Sequence, residues 1–477
     1  MMINKIYYLE EFSMSEHTVL STTKLPVTII GAGPVGLAAA AHLVARGESF
    51  VLFDAGNEVG ANMLTWSHVR LFSPWEYNMD KTARQLLTSH GWMAPNNSDI
   101  PTGLEMVENY LKPLAESPEI KPFIHLNAKV TAVSRKGLNK VKTQGRDNLP
   151  FVLHALKNGE RILVEAKAVI DATGTWTNPN PVISEGVWTA EEQSLSKQIF
   201  YGIPDVLGKH KDRYSGKKVL VVGSGHSAIN TLLELGELKD QVQETEIVWV
   251  LRKSKLKDVY GGQEQDQLAA RGELGTRIQK LVESGKVKVL TPFHIQELKK
   301  NGEKIQVVGF LDNEWVQIDA IDEIISNTGS RPDLSFLREV RVITDPALES
   351  TLELAPLIDP NVHSCGTVRP HGEKELRQPE KDFYIVGSKS YGRAPTFLMA
   401  TGYEQIRSVV AALAGDHEAA KRVELELPET GVCSIQTSSC CESEKNENLA
   451  VKTDAGSSCC SPVTSPAASK SSLGDDH

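Results

Sequence analysis

The residues with the clearest chemistry are Gly31, Gly33 and Gly36, with Pro34 between them, and Asp54. Glycines at this spacing let a chain turn tightly, bring its backbone against a pyrophosphate and seat a helix on a strand. A carboxylate 23 positions after the first glycine accepts hydrogen bonds from a ribose hydroxyl. A second set, Gly223, Ser224, Gly225, His226 and Ser227, repeats the design, with Ala228 in the third glycine's place. Its ending differs: the following apolar run closes on Arg252 and Lys253 rather than on an acid. Cations there suit a 2′-phosphate, the plainer alternative being a solvated strand end. Two dinucleotide sites are expected, the acid-terminated one for the adenosine half of FAD and the basic one for NADPH.

Each set needs a strand, a helix and a second strand to position it. Pro26–Ile30 is a short apolar run rich in β-branched residues, Leu37–Arg46 reads as an alanine-rich helix, and Phe50–Phe53 is a second buried strand. Residues 217–222, the stretch after Ala228 and the run IVWV repeat the order. Two further apolar runs end in Thr-Gly, at Thr173 and Gly174 and again at Thr328 and Gly329, the latter followed by Arg331. Such small exits suit the crossings between one nucleotide-binding unit and another. The run DFYIVG ends at Gly387, and a helix from about Phe397 carries Gly402, its N-terminus free to face a phosphate or a flavin.

Between these landmarks the signals are coarser. Trp66, Arg70, Phe72 and Trp75 are dense for a loop, and Trp66 and Arg70 are candidate cofactor contacts, core aromatics being the alternative. Residues 101–116 read as a helix with Leu104, Val107, Tyr110 and Leu111 on one face. Residues 124–133, which hold the candidate contact Val130, and 150–156 are strand-like, joined by a polar hairpin connection at 137–149. Val287–Leu290, Ile305–Phe310 and Trp315–Ile318 are further strand-like runs.

Composition limits the alternatives. The 477 residues are 40% hydrophobic and 23% charged, as in ordinary globular proteins. A net charge of −10 speaks against nucleic-acid and anionic-membrane partners. No apolar run of about 18 residues is present, so no transmembrane helix is expected. The first 24 residues carry acids and no apolar centre, which reads as a flexible N-terminus and not a signal peptide. A cytoplasmic location with reduced thiols follows as an expectation, and nothing in the patterning specifies an oligomer. From 427 onward the chain is rich in Ser, Thr, Glu, Lys and Pro and reads as a disordered tail, yet it holds five of the six cysteines.

Two dinucleotide units with Thr-Gly exits resemble the two-dinucleotide-domain flavoproteins, which include pyridine nucleotide-disulfide oxidoreductases and flavin-containing monooxygenases. The stretches from His363 to His371 and SKSYGRAPTFLMATGYEQ are similar to NADPH-dependent monooxygenase-like members linked to arsenical resistance. The resemblance implies an α/β fold of two Rossmann-like three-layer domains. The NADPH domain (216–325) would be inserted in the FAD domain (25–215 and 326–420), with the tail (427–477) beyond. It implies an enzyme in which reduced flavin activates molecular oxygen to oxidise a soft nucleophile, a trivalent arsenical among the candidates. The disulfide reductases carry a redox dithiol near the flavin; here residues 55–80 contain no cysteine.

Cys365 is the one cysteine before the tail, either a thiol that holds a soft substrate near the flavin or a buried small residue. Cys433, Cys440 and Cys441 are spaced to reach one thiophilic ion, and their spacing is not that of a zinc site. Two other functions stay open: a flavin-dependent reductase that passes electrons to a protein or disulfide partner, and a thiol-rich metalloid-binding flavoprotein.

Overall fold

The computed structural model describes residues 18–20, 25–266, 268–363 and 371–425. Its strands in the first half are β1 (Thr18–Leu20), β2 (Val27–Ile30), β3 (Phe50–Phe53), β4 (Ile124–His125), β5 (Ala128–Arg135), β6 (Phe151–Lys157), β7 (Glu160–Ala166) and β8 (Ala168–Asp171). There follow β9 (Ile199–Tyr201), β10 (Lys218–Val222), β11 (Glu246–Val250), β12 (Val287–Leu290), β13 (Phe293–Asn301), β14 (Lys304–Leu311), β15 (Glu314–Ile321), β16 (Glu323–Ser326) and β17 (Phe383–Ile385). The helices that matter for the site are α1 (Pro34–Ala45), α2 (Lys81–Ser89), α3 (His226–Gln241), α4 (Ala269–Glu283) and α5 (Met399–Leu413).

Two parallel five-stranded sheets carry the molecule. The first runs β17-β8-β2-β3-β4, and the second runs β12-β11-β10-β16-β9. Every strand of the first sheet except β17 precedes residue 172, and the second sheet is drawn wholly from 199–326. The second unit is therefore inserted between β8 and β17 of the first.

Each sheet is the middle of three layers, and the alternation of side chains along the strands says why. Val27, Ile29, Phe50 and Leu52 face one core with α1 and α5, while Ile30, Val51 and Phe53 face another built from β5, β6 and β7. In the second unit Val219, Val221, Ile247 and Trp249 pack on α3 and α4, and Leu220, Val222, Val248 and Val250 pack on the antiparallel sheet β13-β14-β15. Strands buried on both faces must be apolar throughout, which is why they were readable as continuous runs.

The structure departs from the sequence reading at four places. Phe293–Asn301, not recognised as a strand, is β13, because charged Glu297, Lys299 and Lys300 mask its inward residues Phe293, Ile295 and Leu298. Leu104 is 46% exposed rather than on the inner face of segment 103–116; that helix widens to π geometry over Val107–Leu111, which turns Val107, Tyr110 and Leu111 inward together. The connection 137–149 is not merely a polar link: it delivers Arg146 to Glu380 at 2.7 Å, both fully buried with Arg135. Within the N-terminal stretch expected to be flexible, Thr18–Leu20 lies parallel to Ile162–Val164 along the edge of β7. No described helix is long and apolar enough to cross a membrane. The tail from 426 and Cys365 lie outside the described residues.

Candidate functional site

The carboxyl ends of β2, β3, β8 and β17 open onto one cavity of about 420 Å³. This is the crevice where an open parallel sheet places its ligands, and the volume is that of a small-molecule site. Gly31, Gly33, Pro34, Val35 and Asp54 form one end, and Thr173, Gly174, Gly387 and Ser388 form the floor. Met63, Trp66, Leu71, Phe72, Trp176 and Phe397 add apolar and aromatic surface to the lining.

The first glycine loop has the geometry its chemistry requires. Gly31 sits at φ +108°, and a Cβ there would lie 2.6 Å from the Ala172 carbonyl oxygen. A Cβ on Gly36 would lie 1.8 Å from the Gly31 carbonyl oxygen, so only glycine lets α1 start this close to β2. A Cβ on Gly33 would meet nothing within 4 Å, so the backbone there is open to a ligand. Asp54 accepts from the Ala32 amide and from the Gly56 amide, both at 2.6 Å, which fixes its carboxylate beside the loop. The loop, the start of α1 and Asp54 together fit the pyrophosphate and ribose of FAD.

The floor is held by a charge pair with no exposure to water. Lys389 Nζ donates to Asp171 Oδ2 at 2.7 Å and to Thr173 Oγ1 at 3.0 Å, and both charged side chains are fully buried. Thr173 in turn donates its hydroxyl to Asp171 Oδ1 at 2.7 Å. Gln405 on α5 accepts from the Gly387 amide at 2.7 Å and donates to Ser390 Oγ at 2.9 Å. The two turns that line the floor are thereby locked to each other and to α5. No sequence periodicity announces a buried lysine, and this pair was missed.

The second glycine set lies at the carboxyl end of β10. Gly225 caps α3, whose first residues are His226 and Ser227, and Ser224 precedes the cap. Burial, with Arg271 close by, lowers His226 from the ordinary imidazole range to about 4. Arg252 is exposed just past β11, reaching the Ser184 carbonyl at 3.4 Å, and Lys253 donates to the Asp258 carbonyl at 3.0 Å. Thr328 and Gly329 lie beside Asn180, where both crossings between the units run together: Thr328 Oγ1 donates to the Asn180 carbonyl at 2.9 Å. Arg331 pairs with Glu349 at 3.3 Å.

The two sites meet. The Phe72 ring, a wall of the cavity, stands 5.0 Å from the His226 ring of the second glycine loop. Trp66 and Trp176 lie 6.1 Å apart in the same wall, and Trp176 donates to Thr65 Oγ1 at 2.8 Å.

Among the candidates for the first site, Arg70, Val130, Gly402 and Gly36 do not line the cavity. Arg70 points outward and is held by the Ile100 carbonyl and by Glu105. Val130 is buried under the first sheet with Ile30 and Phe53, since inward residues of β5 serve that core. Gly402 lies one turn into α5, where Val35 and Phe397 occupy the space of a side chain. Gly36 acts from behind the loop. Trp75, weighed with the aromatic group, is a core residue at 3% exposure.

The family model described as pyridine nucleotide-disulphide oxidoreductase matches residues 28–353. A ferredoxin–NADP reductase of Rickettsia rickettsii (strain Iowa) is 23% identical over 318 residues, 65% of this chain and 74% of that protein. Among solved structures, a bacillithiol disulfide reductase from Bacillus cereus aligns with a TM-score of 0.60 at 19% identity, over 82% of this chain and 99% of its own. The FAD-bound cadaverine monooxygenase of desferrioxamine biosynthesis from Erwinia amylovora aligns with a TM-score of 0.57 at 12% identity, over 85% and 99%. At such identities the structural likeness establishes the fold.

Proposed function

The chain belongs to the pyridine nucleotide-disulphide oxidoreductase family and is a flavin-dependent oxidoreductase with FAD and NADP(H) as cofactors; on that premise we propose that it is an NADPH-dependent monooxygenase of a soft nucleophile, a trivalent arsenical by preference. The first unit would hold FAD, and the inserted unit, which β9 (Ile199–Tyr201) joins ahead of the expected start at 216, would hold NADPH. FAD held there would supply the redox chemistry, hydride from NADPH and two electrons to oxygen, so that one oxygen atom would go to the substrate and the other leave as water.

The protein's part is to bind, align and dry the site. Gly31, Gly33 and Asp54 would hold the pyrophosphate and ribose of FAD, and Arg252 and Lys253 the 2′-phosphate of NADPH. The observation that carries the reading is the composition of the cavity lining. It includes Met63, Trp66, Leu71, Phe72, Trp176 and Phe397, and no cysteine is among the described lining residues. The described lining offers no thiol pair to accept electrons, and its apolar side chains would keep water from an oxidation carried out there. No acid–base pair is needed for attack by an electron-rich arsenic or sulfur centre.

The preference for arsenic rests on the similarity of the His363–His371 and 388–405 stretches to arsenical-linked monooxygenases and on the thiols. Cys433, Cys440 and Cys441, outside the described residues, would capture a thiophilic substrate, and Cys365, also outside them, would steady it by the flavin. The test is NADPH oxidation by the FAD-loaded protein, with and without oxygen, across trivalent arsenicals and thioethers. Oxygen-dependent turnover stimulated by the arsenical, with pentavalent product, supports the proposal. Equal flavin reoxidation by a protein or disulfide acceptor without oxygen would replace it with the reductase reading.

A further inference from the structure

We propose that His68, Asp205 and Glu234 form a binding site for a first-row divalent metal ion that ties the two dinucleotide-binding units together. His68 belongs to the first unit, in the loop between the short helix Ala61–Leu64 and the cavity wall at Leu71. Asp205 follows β9 and Glu234 lies in α3, both in the second. Residues so far apart in the chain nonetheless converge: one ligand atom from each lies within 4.8 Å of the other two.

The polar atoms are presented as ligands. His68 Nε2 stands 3.6 Å from Glu234 Oε1, beyond hydrogen-bond length, and this buried nitrogen has no hydrogen-bond partner. The carboxylates are oriented from outside. Asp205 accepts from the Gly208 amide at 2.9 Å and the Lys209 amide at 3.0 Å, and Glu234 Oε2 accepts from the Val206 amide at 3.0 Å. These bonds leave lone pairs on both acids directed elsewhere and fix the ligands much as outer-shell partners do in metal sites. The His210 main-chain amide donates to the Asp205 carbonyl at 2.8 Å and steadies the same turn.

Ligands held about 2.1 Å from one ion stand roughly 3–3.5 Å apart, so the side chains need only small rotations to close on it. One imidazole and two carboxylates suit zinc, manganese, cobalt or ferrous iron better than soft ions or calcium. An ion here would fasten the loop that leads to Phe72 onto the helix that begins at His226, the two rings that face each other between the cofactor sites.

The test uses the full-length, FAD-loaded protein, stripped with a chelator and titrated with Co²⁺ while visible absorption is followed. One Co²⁺ per chain with weak d–d bands and no thiolate charge transfer is expected, which separates this site from the tail cysteines. His68→Gln and Glu234→Gln should each weaken that binding by roughly tenfold or more, with the flavin spectrum showing that both variants remain folded. Absence of this non-thiolate Co²⁺, or the same affinity in both flavin-loaded variants, would overturn the proposal.

Discussion

Gly36 shows how little freedom a single position has. Its Cβ would fall 1.8 Å from the Gly31 carbonyl oxygen, so either α1 or the phosphate loop must shift. Gly36→Ala is expected to cost about 1–3 kcal/mol by overpacking and to lower flavin content in the purified protein; urea melts and the absorbance ratio of flavin to protein measure the two. At the second site, Arg252→Ala with Lys253→Ala should raise KM for NADPH by about tenfold or more and leave KM for NADH little changed, since each lost phosphate contact is charge-assisted. Steady-state kinetics with both nucleotides decide it. His226 gives a pH dependence whose sign follows from its environment. Burial lowers it to about 4, Arg271 and Lys253 oppose its protonation, and Asp266 opposes them. An unfolded chain binds the proton from about 6.5 downward, so the folded state loses stability as pH falls from about 6.5 to 4 and is unaffected above. His226→Asn should flatten that part of the stability profile, by about 1.4 kcal/mol per unit of restored shift.

At the scale of elements, the exits of β8 and β17 depend on the Lys389–Asp171 pair. Removing one partner of a fully buried pair leaves an uncompensated charge, at a cost of about 3–5 kcal/mol. Lys389→Met is therefore expected to be strongly destabilising, and Lys389→Met with Asp171→Asn to recover most of the loss. Chemical denaturation of the three proteins checks this, and additivity of the two substitutions would refute the coupling. The same scale shows why some elements were legible and others were not. β2, β3, β8, β10 and β11 are buried on both faces, so their apolar runs stand out in the sequence. β13 is covered on one face only and carries charges on the other, and its alternation was lost among lysines. The widened turn over Val107–Leu111 shifted the inward face off the regular helical spacing, so Leu104 was placed wrongly.

Over the whole molecule, all the residues that line the cavity fall between Gly31 and Met399, and the inserted unit reaches that cavity through Phe72 and His226. A chain truncated at residue 427 should keep its flavin and its NADPH oxidation. If the tail cysteines capture substrate, its KM for a trivalent arsenical rises by about tenfold; an unchanged KM would remove them from the mechanism. What the sequence by itself determined is local: two glycine loops, the acid after one and the bases after the other, and the buried strands that carry them, because backbone sterics and periodic burial act over a few neighbouring residues. Tertiary structure alone decided which distant groups meet. It set Lys389 against Asp171, Phe72 against His226, and His68 beside Asp205 and Glu234, because the energy of burying and pairing such groups exists only once the sheets have brought them together.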